Sequence, residues 1–305
     1  MILLVPEGTD PQHLQGLPDS VEIAYLPKEG TLSEKALQAE FAVAPYGGAK
    51  HFFAVLPELK ALKVVQTLTA GVDWILPKMP VHITLCDAAG VHDIPVSEWI
   101  VGAILGAIKK FPEFRDAQRE GRWAYGWVGD LEGSTVLFLG YGSIAKATLK
   151  RLEPFGVSFL KVARTARDDV YAFSSLLELL PKADVVINLL PFTPQTDRFF
   201  GAEHLSAMKL GALFVNAGRG KTVDQAALVE AIKAHRVRFV SDVTDPEPLP
   251  EGHPLWSLPD VFFTPHMAGS THKLLERGFK LAREQIGRYV RGEPLLNVVG
   301  LEKGY

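Results

Sequence analysis

The chain has 305 residues, 47% hydrophobic and 22% charged, which suits two soluble domains of roughly 100–200 residues each. A formal charge of −3 excludes the basic footprint of a nucleic-acid or anionic-membrane binder, and no run approaches the roughly 18–20 apolar residues that cross a bilayer. Cys86 is the sole cysteine, so an intrachain disulfide is excluded and the reducing cytoplasm is the expected location.

The opening Met1-Ile-Leu-Leu-Val5 lacks the basic start and the length of a signal peptide and reads as a buried strand. Further strands are expected at 21–26, 41–45, 64–68 and 82–86, with helical patterns near 33–38 and 50–59. Strands joined by helical crossovers imply a parallel sheet covered on both faces. A helix over 96–111 is apolar nearly all round, so it must be covered by another domain or by a second copy of the chain. After a Gly- and Trp-rich stretch at 120–133, strands are expected at 135–139, 157–163, 184–189, 212–216, 239–243 and 261–264. Helices at 143–152, 173–180 and 223–235 alternate with them, and a last helix over 273–289 is expected to return to the first domain. The fold class is α/β, with two doubly wound parallel-sheet domains. Residues 1–95 and 273–305 form a flavodoxin-like domain completed by the C-terminal helix, and 96–272 form a Rossmann domain.

Such sheets bind ligands beyond the carboxyl ends of their strands. Thr135-Val-Leu-Phe-Leu-Gly140-Tyr-Gly142-Ser143-Ile144-Ala145 is a strand, a tight turn and a helix start. Gly140 permits the turn, Gly142 lets backbone approach a pyrophosphate, and Ala145 is small enough for the helix to pack on the strand. The N–H groups opening the helix, at Ser143 and Ile144, and the helix dipole then hold the phosphates. After the next strand, where an NAD-binding domain places an acid, the chain reads Val162-Ala-Arg164-Thr165-Ala-Arg167, with no acid before Asp168. Arg164, with Thr165 beside it, can stack on adenine and pair with a 2′-phosphate, so NADP(H) is favoured over NAD(H).

Three polar residues follow three later strands. Arg219, between Gly218 and Gly220, presents the planar fork of donors that a carboxylate substrate requires. Glu247 stands in a proline-stiffened loop, Asp245-Pro-Glu247-Pro248. His266, alone among nine histidines, closes a strand immediately before a small-residue turn; its imidazole can exchange a proton near neutral pH, and a carboxylate partner would orient it. No metal site is expected.

On these motifs the chain resembles the D-isomer-specific 2-hydroxyacid dehydrogenases. The resemblance runs from about Leu68 to His266, through Thr69-Ala-Gly71-Val-Asp73, Val96-Ser-Glu98, the Gly140 turn, Leu190-Pro-Phe-Thr193-Pro-Gln-Thr196, Asn216-Ala-Gly-Arg219, Asp242 with Glu247-Pro248, and Thr264-Pro-His266. It implies hydride transfer between NAD(P)H and a small 2-oxo or D-2-hydroxy acid. Arg219 would bind the carboxylate and polarise the carbonyl, His266 would protonate its oxygen, and Glu247 would hold His266. Backbone N–H groups of Ala70 and Gly71 would grip the carboxylate from the other domain. Asp242 and the Ala217 carbonyl would receive the nicotinamide amide, with Pro191, Thr196 and Gly269 as further cofactor contacts. A homodimer is also implied. The loop without an acid is similar to that of NADPH-using glyoxylate/hydroxypyruvate reductases, whereas formate dehydrogenases carry Gln where Glu247 stands. A nucleotide-sensing corepressor with the same fold could keep the same residues, so turnover is what separates the two readings.

Overall fold

A computed structural model describes residues 1–300. The chain divides into two compact units, Met1–His92 with the segment from His272, and Asp93–Thr271.

The first unit is built on five short parallel strands, β1 (Ile2–Pro6), β2 (Glu22–Leu26), β3 (Phe41–Val43), β4 (Val64–Gln66) and β5 (Thr84–Cys86), in the order β2-β1-β3-β4-β5. Strand residues alternate between two apolar layers, as a period of two requires. Leu4, Ala24, Ala42, Val65 and Leu85 pack on one face with Phe52, while Leu3, Val5, Phe41, Val43 and Val64 pack on the other. The second face is closed by the C-terminal helix Leu274–Val290, through Phe279, Ala282 and Ile286.

The second unit opens with α1 (Asp93–Ile108) and α2 (Phe111–Arg119). One helix over 96–111 was the expectation. Lys110 instead takes a left-handed conformation with φ 54°, and Pro112 stands in the first turn of the next helix, where its missing N–H is harmless but would break a continuous helix. Seven parallel strands follow: β6 (Thr135–Leu139), β7 (Ser158–Ala163), β8 (Tyr171–Ala172), β9 (Val185–Asn188), β10 (Ala212–Asn216), β11 (Val237–Ser241) and β12 (Val261–Phe263). Their order is β12-β11-β10-β9-β6-β7-β8, so the chain winds outward in both directions from the β6–β9 pair. The crossovers carry α3 (Ser143–Leu152), α4 (Leu176–Leu179), α5 (Ala202–Ala207) and α6 (Gln225–Lys233). Leu137, Leu139, Val186 and Phe214 face the layer of α4, α5 and α6. Val136, Phe138, Ile187 and Val215 face α1 and α3. The apolar helix α1 thus buries Val96, Ile100, Ala103, Ile104 and Ile108 within its own unit. The two-residue β8 and six-residue α5 fell below any periodic signal in the sequence.

Candidate active site

The expected cofactor and catalytic residues of the second unit lie at the carboxyl ends of neighbouring strands, held there by backbone-to-backbone packing. Gly140, after β6, has φ 94°, and a Cβ on it would stand 3.0 Å from the Leu189 carbonyl after β9. A Cβ on Gly218, after β10, would stand 2.6 Å from the Leu190 oxygen. Only glycine lets these three turns close on one another. A buried polar network locks the arrangement. Asn188 at the end of β9 donates to Asn216 Oδ1 at 3.0 Å and to Thr222 Oγ1 at 2.8 Å, and accepts from Leu190 N–H. Thr222 Oγ1 in turn donates to the Arg219 carbonyl at 2.7 Å, and Asn216 Oδ1 accepts from Gly218 N–H. Asn188 and Thr222 went unremarked in the sequence, although a lone amide ending the apolar run Val185-Val-Ile is the signal that marks the first.

The turn fits a dinucleotide. Beyond its chain neighbours, no atom of the described residues lies within 4 Å of where a Cβ on Gly142 would stand, and Gly142, as the N-cap of α3, has no side chain to accept from the N–H groups of the first turn, at Ser143 and Ile144. Donors with the positive end of the helix dipole behind them suit a phosphate. The Ser143 hydroxyl donates to Asp93 Oδ1 at 2.8 Å. Burial pushes the Asp93 carboxyl upward, against the pull of that bond. Arg164 and Thr165 are exposed just past β7. Arg167, which shared their loop in the sequence without a role of its own, donates to the Tyr141 carbonyl at 2.9 Å, so a guanidinium stands at the glycine turn itself. Pro191 and Thr196 belong to the loop after β9. The Thr196 hydroxyl is occupied within that loop, accepting from Thr193 N–H at 2.8 Å and donating to the Pro191 carbonyl at 2.7 Å. Among the described residues no cluster of His, Cys, Asp or Glu could hold a metal.

Arg219 follows β10, half-buried, with Nη1 donating to the Gly218 carbonyl at 2.9 Å. Beyond β12, His266 Nδ1 meets Glu247 Oε1 at 2.5 Å, well within reach of a charge-assisted hydrogen bond. Cis peptide bonds precede Pro246 and Pro248 on either side of Glu247. The Glu247 carboxylate holds the imidazole above the ordinary histidine range, opposed by burial and by the Arg219 charge, with Asp242 adding to the rise. His266 is left-handed, with φ 50°, a conformation that surrounding structure must hold in place for a residue with a Cβ. Asp242, buried at the end of β11, does this. Its carbonyl accepts from His266 N–H at 2.7 Å, Oδ1 from Met267 N–H at 2.8 Å and from Thr264 Oγ1 at 2.5 Å, and Oδ2 from Ala268 N–H at 2.8 Å. Asp242 is therefore the organiser of the His266 turn, a role its sequence position does not disclose. Ala217 follows β10 directly, its N–H donating to the Asn188 carbonyl at 3.1 Å, and Gly269 follows the His266 turn. Ala70 and Gly71 belong to the first unit, in the loop after β4, where Trp74 Nε1 donates to the Gly71 carbonyl at 3.0 Å.

A doubly wound sheet with a glycine turn opening a helix defines an α/β protein of the dinucleotide-binding class. The chain belongs to the D-isomer specific 2-hydroxyacid dehydrogenases, a family of NAD(P)-dependent oxidoreductases: the model of that family's NAD binding domain matches residues 101–268. A glyoxylate reductase of Thermofilum pendens is 34% identical over 249 residues, which cover 76% of this chain and 73% of that protein. A D-isomer specific 2-hydroxyacid dehydrogenase of Xanthobacter autotrophicus, solved with NADPH and MES, is 27% identical, covers 100% of this chain and 99% of its own, and has a TM-score of 0.84. An NADPH-dependent glyoxylate/hydroxypyruvate reductase of Sinorhizobium meliloti, solved with NADP and sulfate, is 25% identical at a TM-score of 0.85, with 100% of this chain and 99% of that one covered. Among the described residues no helix is long and apolar enough to cross a membrane.

Proposed function

We propose that the chain is an NADPH-preferring reductase of a short 2-oxo acid, glyoxylate or hydroxypyruvate, giving the D-2-hydroxy acid where the product is chiral. The observation that carries this reading is the His266–Glu247 pair at 2.5 Å, made between the segments that follow β12 and β11, with Arg219 after the next strand, β10. Gly140, Gly142, Ser143 and Ile144 would hold the pyrophosphate, and Arg164 with Arg167 the 2′-phosphate. When bound, NADPH supplies the hydride. The Arg219 fork pairs with the substrate carboxylate and draws electron density from the adjacent carbonyl. With Nδ1 held by Glu247, Nε2 of His266 is the atom that gives its proton to the carbonyl oxygen. A raised histidine pKa keeps the imidazolium populated to higher pH, so reduction fails on the alkaline side, above the ordinary histidine range.

Steady-state kinetics with NADPH and NADH against glyoxylate, hydroxypyruvate and pyruvate, run on the native chain and Arg164→Ala together, test the reading. NADPH oxidation is expected with at least one acid, and Arg164→Ala is expected to weaken NADPH by about tenfold or more, as loss of a charged pair to phosphate does, with NADH little affected. No oxidation above background with any acid would favour a nucleotide sensor instead, and an unchanged cofactor ratio would overturn the NADP assignment.

The same chain is read as a homodimer. Trp123, Tyr125 and Trp127 are 96%, 85% and 86% exposed, with Phe111 nearby in sequence at 60%, and exposed aromatics of this density mark a protein interface. Sedimentation is expected at twice 33.4 kDa; a single-chain mass at micromolar concentration would refute the dimer.

A further inference from the structure

The segment that carries Glu247 is gripped from two sides before Glu247 is reached. On one side Thr244 lies directly against the Arg219 turn, where a Cβ on Gly220 would stand 1.9 Å from the Thr244 oxygen. On the other side stands Gln225, the first residue of α6. Its Oε1 accepts from Asp245 N–H at 3.0 Å, and its Nε2 donates to the carbonyl of the same residue. One carboxamide thus satisfies both polar groups of one residue, the paired exchange that neighbouring strands use. Thr244 Oγ1 donates to the Pro246 carbonyl at 2.9 Å, which stiffens the interval between that clamp and Glu247. The base of the clamp is fixed by Asp224, whose side chain accepts from Ala227 N–H at 3.1 Å and caps α6. The His253 ring lies alongside, with Nε2 3.2 Å from Gln225 Nε2.

We propose that Gln225 is a positioning residue: by clamping Asp245 to the start of α6 it sets the register in which Glu247 meets His266. The proposal rests on the reading that this pair works at the reacting centre, and it adds a residue from a helix that no sequence motif singled out. Polar support of this kind matters because a carboxylate displaced by about 1 Å loses most of its effect on the group it orients. The groups facing His266 are Glu247, Arg219 and Asp242. Gln225 holds the segment that carries the first of these, so its loss should reproduce part of the effect of losing Glu247.

The test compares the native chain with Gln225→Met, Gln225→Glu and Glu247→Gln. A hollow of about 570 Å³ borders Gln225, lined also by Arg198, Glu230 and Lys233, so the methionine of similar length can be accommodated. Gln225→Glu keeps the acceptor for Asp245 N–H and loses the donor, and serves if the methionine variant does not fold. The first readout is the His266 titration followed by NMR of its ring, assigned by its disappearance in His266→Ala; the second is kcat against the dissociation constant for NADPH. In Gln225→Met the His266 midpoint is expected to fall part of the way to its value in Glu247→Gln, and kcat to fall about tenfold, with NADPH binding unchanged. Gln225→Glu should lie between this variant and the native chain. An unshifted His266 titration in a folded variant overturns the proposal, even if melting temperature drops, because a purely structural role would lower stability alone. If the native chain turns over no 2-oxo acid while the titration still responds to Gln225→Met, the positioning stands and the dehydrogenase reading falls.

Discussion

Replacing His266 by alanine is expected to lower kcat for 2-oxo acid reduction by about 100- to 10,000-fold, the span that a positioned general acid contributes, while NADPH still binds. The size follows from how completely the fold commits this residue. Its backbone is held in a left-handed conformation, φ 50°, by Asp242, which accepts from the N–H groups of His266, Met267 and Ala268. Its Nδ1 is engaged by Glu247 at 2.5 Å. A side chain fixed in this way has one free nitrogen to offer, and no second histidine shares the turn. On the proposed reading the phosphates of NADPH are held by other loops, those after β6 and β7, so fluorescence titration of the cofactor should give a dissociation constant within about twofold of the native one, well under 1 kcal/mol. A kcat within a fewfold of native would remove His266 from the chemistry. Loss of cofactor binding would mean that the turn as a whole had collapsed.

Arg219→Lys is expected to raise KM for the oxo acid by about 10- to 100-fold, as a charged hydrogen bond worth roughly 1.5–3 kcal/mol is lost or misdirected. Lysine keeps the charge, so the variant isolates geometry. The turn that presents Arg219 is rigid: its carbonyl accepts from Thr222 Oγ1, and Gly218 and Gly220 pack against Leu190 and Thr244 at distances no side chain allows. A flexible ammonium on that turn offers one point of contact where a guanidinium offers two parallel ones. Kinetics with a 2-oxo acid and with a carbonyl compound of similar size lacking the carboxylate give the contrast. The acid should lose far more than its uncharged counterpart; equal losses would contradict carboxylate recognition by Arg219.

Both expectations concern residues legible in the chain before any fold was known, and the reason is local. Strand, glycine turn and helix at Thr135–Leu139, Gly140 and Ser143–Leu152 are specified by adjacent residues, and the observed elements have those bounds. Arg219 and His266 follow apolar strands immediately, so their place at the sheet's carboxyl edge was readable from chain order and the rule that parallel strands point the same way. The helix break at Lys110 and Phe111 was readable too, from Pro112, but a long apolar run masked it.

What tertiary structure alone decided is which distant groups touch. Glu247 and His266 are 19 residues apart and Asp242 and Ala268 are 26 apart, and their contacts depend on the register of β11 against β12 and on a loop whose path no periodicity encodes. The same holds for Gln225, an ordinary first-turn residue of a helix until the packing of α6 beside the loop after β11 brings it to Asp245. Hydrophobic patterning acts between near neighbours and determines elements and faces; side-chain polar contacts are directional and short-ranged in space, so they form only once the sheet has brought separate strand ends together.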